Sequence, residues 1–163
     1  MVADFDSQAC ALAHGAVEPA PDGRAVVAVF DSPVATHLLH FAATLGYRVA
    51  LADPRLDGAG LADVTIDAGT DVVVTDHDRP ELGAALRDAL ASPARWVGVM
   101  GSPRHTAPHV AALRALGVTE DDIARVHRPI GLNIGSRTPA EIALATLAGL
   151  LADRNNRPGG FAF

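Results

Sequence analysis

The sequence predicts an α/β fold: a doubly wound parallel sheet forming a single domain of three layers. Short β-branched and apolar runs alternate with segments of helical spacing, and the connections between them are short. The runs are continuous rather than alternating, which is typical of parallel strands covered on both faces. Predicted strands occupy residues 25–30, 47–52, 63–67, 71–75 and 95–100, and the pattern is weakest at 63–67. Predicted helices occupy residues 33–46, 81–92 and 105–117, followed by a last helix that starts at Thr138.

The length of 163 residues suits one domain with a core that needs no disulfides. Residues 1–23 are predicted to be a tail or lead-in, residues 24–154 the domain, and residues 155–163 a C-terminal tail. The single cysteine, Cys10, cannot form an intrachain disulfide, which favours a cytoplasmic location.

The charge balance argues against two classes of partner. The net charge is -6 and no run of Lys or Arg is present, so we expect neither nucleic acid nor an anionic membrane as a partner. No leader and no apolar run of about 20 residues is apparent, so no membrane segment is expected.

The turn after the first strand has a well-formed helix start but no glycine. Ser32 can cap the helix and Pro33 suits its first position. Without glycine, however, the backbone at Phe30 and Asp31 cannot approach a pyrophosphate closely, and Asp31 adds a repelling carboxylate. This turn therefore argues against NAD(P) as a cofactor. After the second strand, Asp53 could bind a ribose hydroxyl or simply begin the turn before Pro54, and both interpretations stay open.

The turn after the strand 95–100 predicts an anion site. Gly101 permits a tight turn, Ser102 can cap a helix, and Pro103 can start one. Backbone N–H groups, the helix dipole, Arg104 and His105 would then converge on one point. The alternative is an ordinary helix cap with an exposed arginine. Pro108 is expected to bend or delay the helix predicted at 105–117.

The segment 127–137 is apolar but fits neither a helical nor a strand period, because Pro129 and two glycines interrupt it. It leads into a helix with Thr138 as N-cap, Pro139 at the first position and Glu141 at the third. Asn133 could hydrogen-bond a ligand or adopt a left-handed turn, and His127 could line a site or be structural.

Two stretches carry a family resemblance: WVGVMGSPRH (96–105) and GVTEDDIARVHRPIGLNIGSRTPAEIALATLAGLLADR (117–154). They resemble the C-terminal Rossmann-like domain of the XdhC/CoxI family, the xanthine dehydrogenase accessory proteins. The central motif is H-x-P-I-G-L-(D/N)-I-G-x-x-T-P-x-E-I-A. The resemblance covers residues 24–154. It departs from the family at Phe30–Pro33, where the family has a glycine-rich turn, and the family's N-terminal domain motifs are absent from the sequence.

The resemblance implies a non-catalytic accessory protein for a molybdenum hydroxylase such as xanthine or carbon monoxide dehydrogenase. The implied ligand is the molybdenum cofactor (molybdopterin), carried as cargo. The implied partners are the hydroxylase apoenzyme, a cysteine desulfurase or a separate XdhC N-terminal-type domain, and a second copy in a homodimer. No catalytic residue or metal site is assigned. The residues assigned to cofactor binding are Gly101, Ser102, Arg104, His127, Gly131, Asn133, Gly135 and Asp53.

Two alternatives belong to other functional classes. One is a small NAD(P)-dependent oxidoreductase. The chain has no lysine and a single tyrosine, Tyr47, so it offers no Tyr-Lys pair for the proton relay of such an enzyme. The other is a degenerate nucleotide-fold domain that retains only protein–protein contacts.

Overall fold

The computed structural model describes residues 9–15, 23–57 and 60–160. Its centre is a five-stranded sheet in the order β2-β1-β3-β4-β5, in which every neighbouring pair is parallel. The strands are β1 (Ala25–Val29), β2 (Arg48–Ala52), β3 (Thr70–Val74), β4 (Trp96–Val99) and β5 (Val126–His127). This is the doubly wound arrangement that the sequence predicts, and its strand order reverses between β1 and β3.

Helices cover both faces of the sheet. They are α1 (Pro33–Thr44), α2 (Leu82–Ala91), α3 (Pro108–Ala115), the short α4 (Glu120–Ile123) and α5 (Pro139–Arg154). One core cluster contains Leu38 of α1 and Leu147 of α5. The other contains Leu86 of α2 and Leu113 of α3. The sheet therefore forms the middle of three layers, as predicted.

The central strands are buried because helices pack on both of their faces. All five residues of β1 and all five of β3 are buried, which agrees with their β-branched composition. At the sheet edge, β2 exposes Arg48 and Val49.

The strand predicted at 63–67 is wrong. Leu61–Asp63 forms a short 3-10 turn, and the residues after it pair with no strand of the described chain. Val64 and Ile66 instead pack as loop side chains against the core cluster that contains Leu86. Their alternation with polar residues resembles a strand pattern, but β3 already occupies the position beside β1.

The fifth strand, β5, has only two residues. Val126 pairs with Val97 and His127 pairs with Gly98. Such a short strand has no periodicity of its own, so the sequence pattern did not predict it.

Helix starts with strong local signals are confirmed. The Ser32 hydroxyl accepts a hydrogen bond from the Ala35 N–H at 3.1 Å, and Pro33 occupies the first turn of α1. At α5, Thr138 and Glu141 form the reciprocal capping box. Both signals lie within four residues of sequence, which explains why they can be recognised without a structure.

The amino end of the sheet contains a buried ion cluster. Asp71 of β3 is fully buried and accepts hydrogen bonds from Arg95 Nε at 2.7 Å and from Arg154 Nε at 2.9 Å. Burial raises the pKa of Asp71, although both arginines act in the opposite direction. Because Arg154 belongs to the last turn of α5, this cluster fixes the end of α5 against the sheet.

Most of the predicted lead-in 1–23 lies outside the described residues, although residues 9–13 are helical. The predicted C-terminal tail is described as far as residue 160. Arg157 and Pro158 contact the same cavity as α5, and a side chain at Gly159 would collide with Leu132.

Candidate functional site

The turn after β1 lies where the strand order reverses, the usual ligand position in such sheets. Phe30 has a φ of 74°, a left-handed conformation that costs a non-glycine residue about 1–2 kcal/mol. Its ring is completely buried, so the burial of a large aromatic side chain offsets this cost. The Ser32 hydroxyl donates to Thr75 Oγ1 at 3.0 Å, which ties this turn to the end of β3.

Asp53 forms a buried ion pair at the same edge. Its carboxylate accepts four hydrogen bonds: from Arg79 Nη1 at 3.3 Å, from Arg79 Nη2 at 2.9 Å, from the Asp31 N–H at 2.8 Å and from the Arg55 N–H at 2.9 Å. Burial alone would raise the pKa of Asp53, but these hydrogen bonds and the charge of Arg79 hold it at about 2. Asp53 thus begins the turn before Pro54, and its role in ribose binding stays a prediction.

Arg79 packs against the turn after β1. Its guanidinium lies over the Phe30 ring, 4.6 Å from the ring centroid, and only 11% of its side chain is exposed. A cation, its carboxylate partner and an aromatic ring therefore occupy the region around the first turn. No local sequence signal marks Arg79, because its partner Asp53 is 26 residues away.

The segment after β4 is a loop, and the helix start predicted at Pro103 is wrong. Residues 103–104 form a turn, and α3 begins only at Pro108, in agreement with the delay expected there. Ser102 Oγ accepts from the Arg104 N–H at 3.2 Å, which closes a local turn instead of capping a helix. Arg104 is exposed.

Arg128, which directly follows β5, holds the loop after β4 by hydrogen bonds. Its Nη2 donates to the carbonyl oxygens of Ser102 at 2.8 Å, His105 at 3.3 Å and Thr106 at 3.4 Å. Gly101 is needed for this approach, because a Cβ there would lie 2.6 Å from Arg128 Nε. Arg128 occupies the variable position of the H-x-P motif, and the sequence marks it only as a polar residue beside an apolar stretch.

His109 in the first turn of α3 is 5% exposed, and its Nδ1 has no hydrogen-bond partner among the described residues. Burial, together with the positive charge of Arg128, lowers the pKa of His109 below its usual range. The imidazole of His109 therefore lies near enough to Arg128 to be affected by its charge.

The loop 129–135 packs directly on α5. Gly131 has a φ of 85°, and a Cβ there would lie 3.0 Å from the Thr146 N atom. Gly149 approaches it from the helix side, and the Leu132 N–H donates to the Ala145 carbonyl at 3.0 Å. Glycines at 131 and 149 thus allow backbone-to-backbone contact between loop and helix.

His127 stacks on Trp96, with ring centroids 4.8 Å apart and planes 12° from parallel. The indole lies across Gly98, where an added Cβ would be 2.2 Å from a Trp96 ring carbon. The two rings line a cavity of about 240 Å³ together with Gly131, Thr146 and other residues of the loop and α5. This cavity lies under α5 beside the sheet edge, away from the carboxyl ends of β1 and β3.

Residues 26–150 match the family model described as XdhC Rossmann domain, which covers most of the chain. The chain belongs to the XdhC Rossmann domain family. This confirms the family resemblance of the sequence and agrees with the observed sheet.

The XdhC Rossmann domain is similar to two longer proteins. It is 38% identical over 128 residues to the Escherichia coli (strain K12) protein YqeB, covering 78% of this chain and 21% of YqeB. It also matches a crystal structure described as a xanthine dehydrogenase from Bacillus halodurans, with a TM-score of 0.62 and 19% identity. That match covers 85% of this chain and 45% of the other chain, and at this identity it shows a shared fold.

The structure separates the predicted binding residues of this XdhC Rossmann domain into distinct places. Gly101, Ser102 and Arg104 lie in the loop after β4, while His127 and Gly131 line the cavity under α5. Asp53 follows β2 at the opposite edge of the sheet. Four strand spacings of about 4.8 Å place it about 19 Å from β5, so it belongs to a different region.

Asn133 and Gly135 are exposed on the outside of the 129–135 loop. Gly135 has a φ of 71°, with no heavy atom within 4 Å of an added Cβ. The left-handed alternative for Asn133 is wrong, because Asn133 is not among the non-glycine residues with positive φ. Its proposed contact with a ligand stays a prediction.

Among the described residues of this domain, no helix is both long and apolar enough to cross a membrane. In the same part of the chain, no three His, Cys, Asp or Glu side chains form a group that could hold a metal ion.

Proposed function

We propose that this domain is an accessory component in the maturation of a molybdenum hydroxylase such as xanthine or carbon monoxide dehydrogenase. In this role it binds the molybdenum cofactor, or a related nucleotide or phosphate ligand, as cargo. The observation that carries the proposal is the family match over residues 26–150.

The chemistry of the loop after β4 is compatible with such cargo. The molybdenum cofactor carries a phosphate, and its nucleotide form carries a pyrophosphate. Arg128 stands at this loop without an acidic partner among the described residues. An arginine free of a carboxylate is suited to a phosphate oxygen.

The proposed partners follow from the same role. They are the hydroxylase apoenzyme as recipient, and a cysteine desulfurase or a separate XdhC N-terminal-type domain during cofactor sulfuration. A second copy of the chain in a homodimer is a further partner.

The oxidoreductase alternative finds little support in the site. The chain contains no lysine, and its one tyrosine, Tyr47, precedes β2 at the amino end of the sheet. The turn after β1, where NAD would place its pyrophosphate, is occupied by the Phe30 ring and the Asp53–Arg79 pair. A proton-relay site at the carboxyl edge would therefore have to rely on histidine.

A binding and transfer experiment tests the proposed function. The purified chain is mixed with molybdenum cofactor released from a molybdenum enzyme, and the protein is recovered by gel filtration. We expect pterin fluorescence, after oxidation, to co-elute with the protein, and we expect addition of an apo-hydroxylase to move the pterin to that enzyme.

A parallel thermal-shift panel with NAD, NADP, nucleotides and molybdopterin identifies the preferred ligand, because a ligand that binds only the folded state raises its Tm. Stabilisation by NAD or NADP alone, without pterin co-elution, would support the oxidoreductase alternative. Binding of the apo-hydroxylase without any small ligand would support a domain used only for protein contacts.

A further inference from the structure

The guanidinium of Arg128 differs from most other arginines of the described chain in having no acidic partner. Arg79, Arg95, Arg114, Arg125 and Arg154 each pair with a carboxylate within 4.0 Å. Arg128 pairs with none among the described residues, and only carbonyl oxygens accept its hydrogen bonds. No negative side chain in the described part of the chain therefore balances its positive charge.

The guanidinium is also held in a defined orientation. Nη2 donates to three carbonyl oxygens of the 102–106 loop, and Nε is buried behind Gly101 with no partner in the part of the chain that the structure describes. Nη1 makes no hydrogen bond to a described residue and is not among the buried polar atoms, so solvent reaches it. An arginine whose guanidinium is already held on one side loses less conformational entropy on binding an anion than a freely rotating surface arginine does.

The start of α3 adds positive potential near this guanidinium. His109 in its first turn lies near enough for the charge of Arg128 to lower its pKa, which favours the uncharged imidazole, and its Nδ1 is buried without a partner among the described residues. The loop that Arg128 holds leads into α3 at Pro108, so the positive end of the helix dipole lies at the same sheet edge. Carboxyl ends of parallel strands are where ligands of such sheets bind.

We infer that Arg128 is the anion-binding residue of this domain and that its Nη1 donates to an oxygen of a phosphate group on a nucleotide or pterin ligand. The inference rests on the proposed function for the identity of the cargo, but the phosphate site can be tested without it. It places the phosphate on Arg128, whereas the sequence alone predicts Arg104.

The test measures binding of inorganic pyrophosphate, AMP and adenosine by calorimetry to the wild-type chain, to Arg128→Gln and to Arg104→Gln. We expect pyrophosphate and AMP to bind the wild-type chain and adenosine to bind more weakly. Arg128→Gln should weaken binding of both phosphate ligands about ten- to a hundredfold, the usual effect of losing a charge-assisted hydrogen bond. Arg104→Gln is the matched control and should change their affinity less than about twofold.

Arg128→Gln also removes the contacts that hold the 102–106 loop, so a measurement on the wild-type chain is needed. Pyrophosphate titration followed by NMR should shift the backbone amide signals of residues 101–102 and 104–106 and the ring signals of His109. The amide signals of residues 30–32, at the closed turn, should stay unchanged.

Three outcomes would overturn the inference: loss of affinity in Arg104→Gln alone, shifts confined to residues 30–32, or no binding of pyrophosphate and AMP at millimolar concentration. If pyrophosphate and AMP do not bind but the chain still carries pterin to an apo-hydroxylase, the phosphate site is wrong and the proposed function stands. If both phosphate ligands bind through Arg128 but no pterin is carried, the site stands and the proposed cargo is wrong.

Discussion

The side chains of Phe30, Asp53 and Arg79 pack around the turn after β1, where other nucleotide-binding sheets have glycines that leave room for a phosphate. Asp53 and Arg79 form the most enclosed ion pair of that turn, with side chains 3% and 11% exposed. The hydrogen bonds to Asp53 fix the turn after β2 and the backbone of Asp31 together. At the scale of residues, this ion pair holds the turn after β2 against the turn after β1.

We expect Asp53→Asn to lower the free energy of unfolding by about 2–3 kcal/mol at pH 7, because Arg79 would keep only its longer contact with Glu81, at 3.4 Å, as an ion pair. The pKa of Asp53 is about 2 in the folded chain, below its ordinary value of 3.8. The stabilisation from its ionised form is therefore present above about pH 4 and is lost as the pH falls towards 2.

Urea unfolding of both proteins between pH 7 and pH 2.5 measures this effect, and the difference between them should shrink as the pH falls. Asp57→Asn, at an exposed carboxylate a few residues further on, is the control. A constant difference across this pH range would show that the charge of Asp53 does not supply the stability.

We expect Gly131→Ala to cost about 3 kcal/mol, because it adds a left-handed alanine and forces a Cβ against the α5 backbone. Gly135→Ala is a matched control in the same loop, since it has a similar φ but open space around the added Cβ. It should cost only about 1–2 kcal/mol. Denaturant unfolding measures both, and equal costs would show that the close approach to α5 contributes nothing.

At the scale of elements, two connections of the sheet differ from those of other nucleotide-binding sheets. They are the turn between β1 and α1, where such sheets bind a phosphate group, and the loop between β4 and α3. The first keeps a capped helix directly after the strand, but its interior is filled. In the second, the helix begins only at Pro108, and Arg128 has no acidic partner among the residues that the structure describes. The proposed anion site accordingly lies after β4, and none is proposed after β1.

NAD and NADP are accordingly expected to bind weakly or not at all, because the Phe30 ring and the Arg79 guanidinium occupy the region of the first turn. Calorimetric titration of the unmodified protein with each dinucleotide tests this. A dissociation constant in the low micromolar range, about -8 kcal/mol, would show that this turn opens or that the dinucleotide binds elsewhere.

At the scale of the whole molecule, several apolar side chains remain on the surface. Ile134 in the 129–135 loop is 55% exposed, and Leu144 on α5 is 53% exposed. Leu116, at the end of α3 on the other face of the sheet, is 44% exposed. Exposed apolar residues on the loop and on the helix it packs against are suited to an interface.

We expect the chain to form a homodimer at micromolar concentration, and multi-angle light scattering measures its mass. The double variant Ile134→Ser, Leu144→Ser should shift the equilibrium towards monomer, because it removes apolar area from one candidate interface. Leu116→Ser is the control on the opposite face and should leave the mass unchanged. A wild-type chain that is purely monomeric would contradict the prediction.

The elements that the sequence predicts well are those whose signals are local. The β-branched runs of β1 and β3 and the Ser32 and Thr138 caps each lie within a few neighbouring residues, so they can be read without knowing the fold. The family motif at residues 127–143 is equally local, and the family match confirms it.

The sequence by itself determined the fold class, the central strands, the capped helices and the family. Only the tertiary structure decided that Val126–His127 is a strand and that 63–67 is not. It also decided the Asp53–Arg79 pair and the contact of Arg128 with Ser102, each made across 26 residues of chain. The physical reason is that strand pairing and ion pairing depend on which segments become neighbours, and sheet order sets this only after the chain has folded.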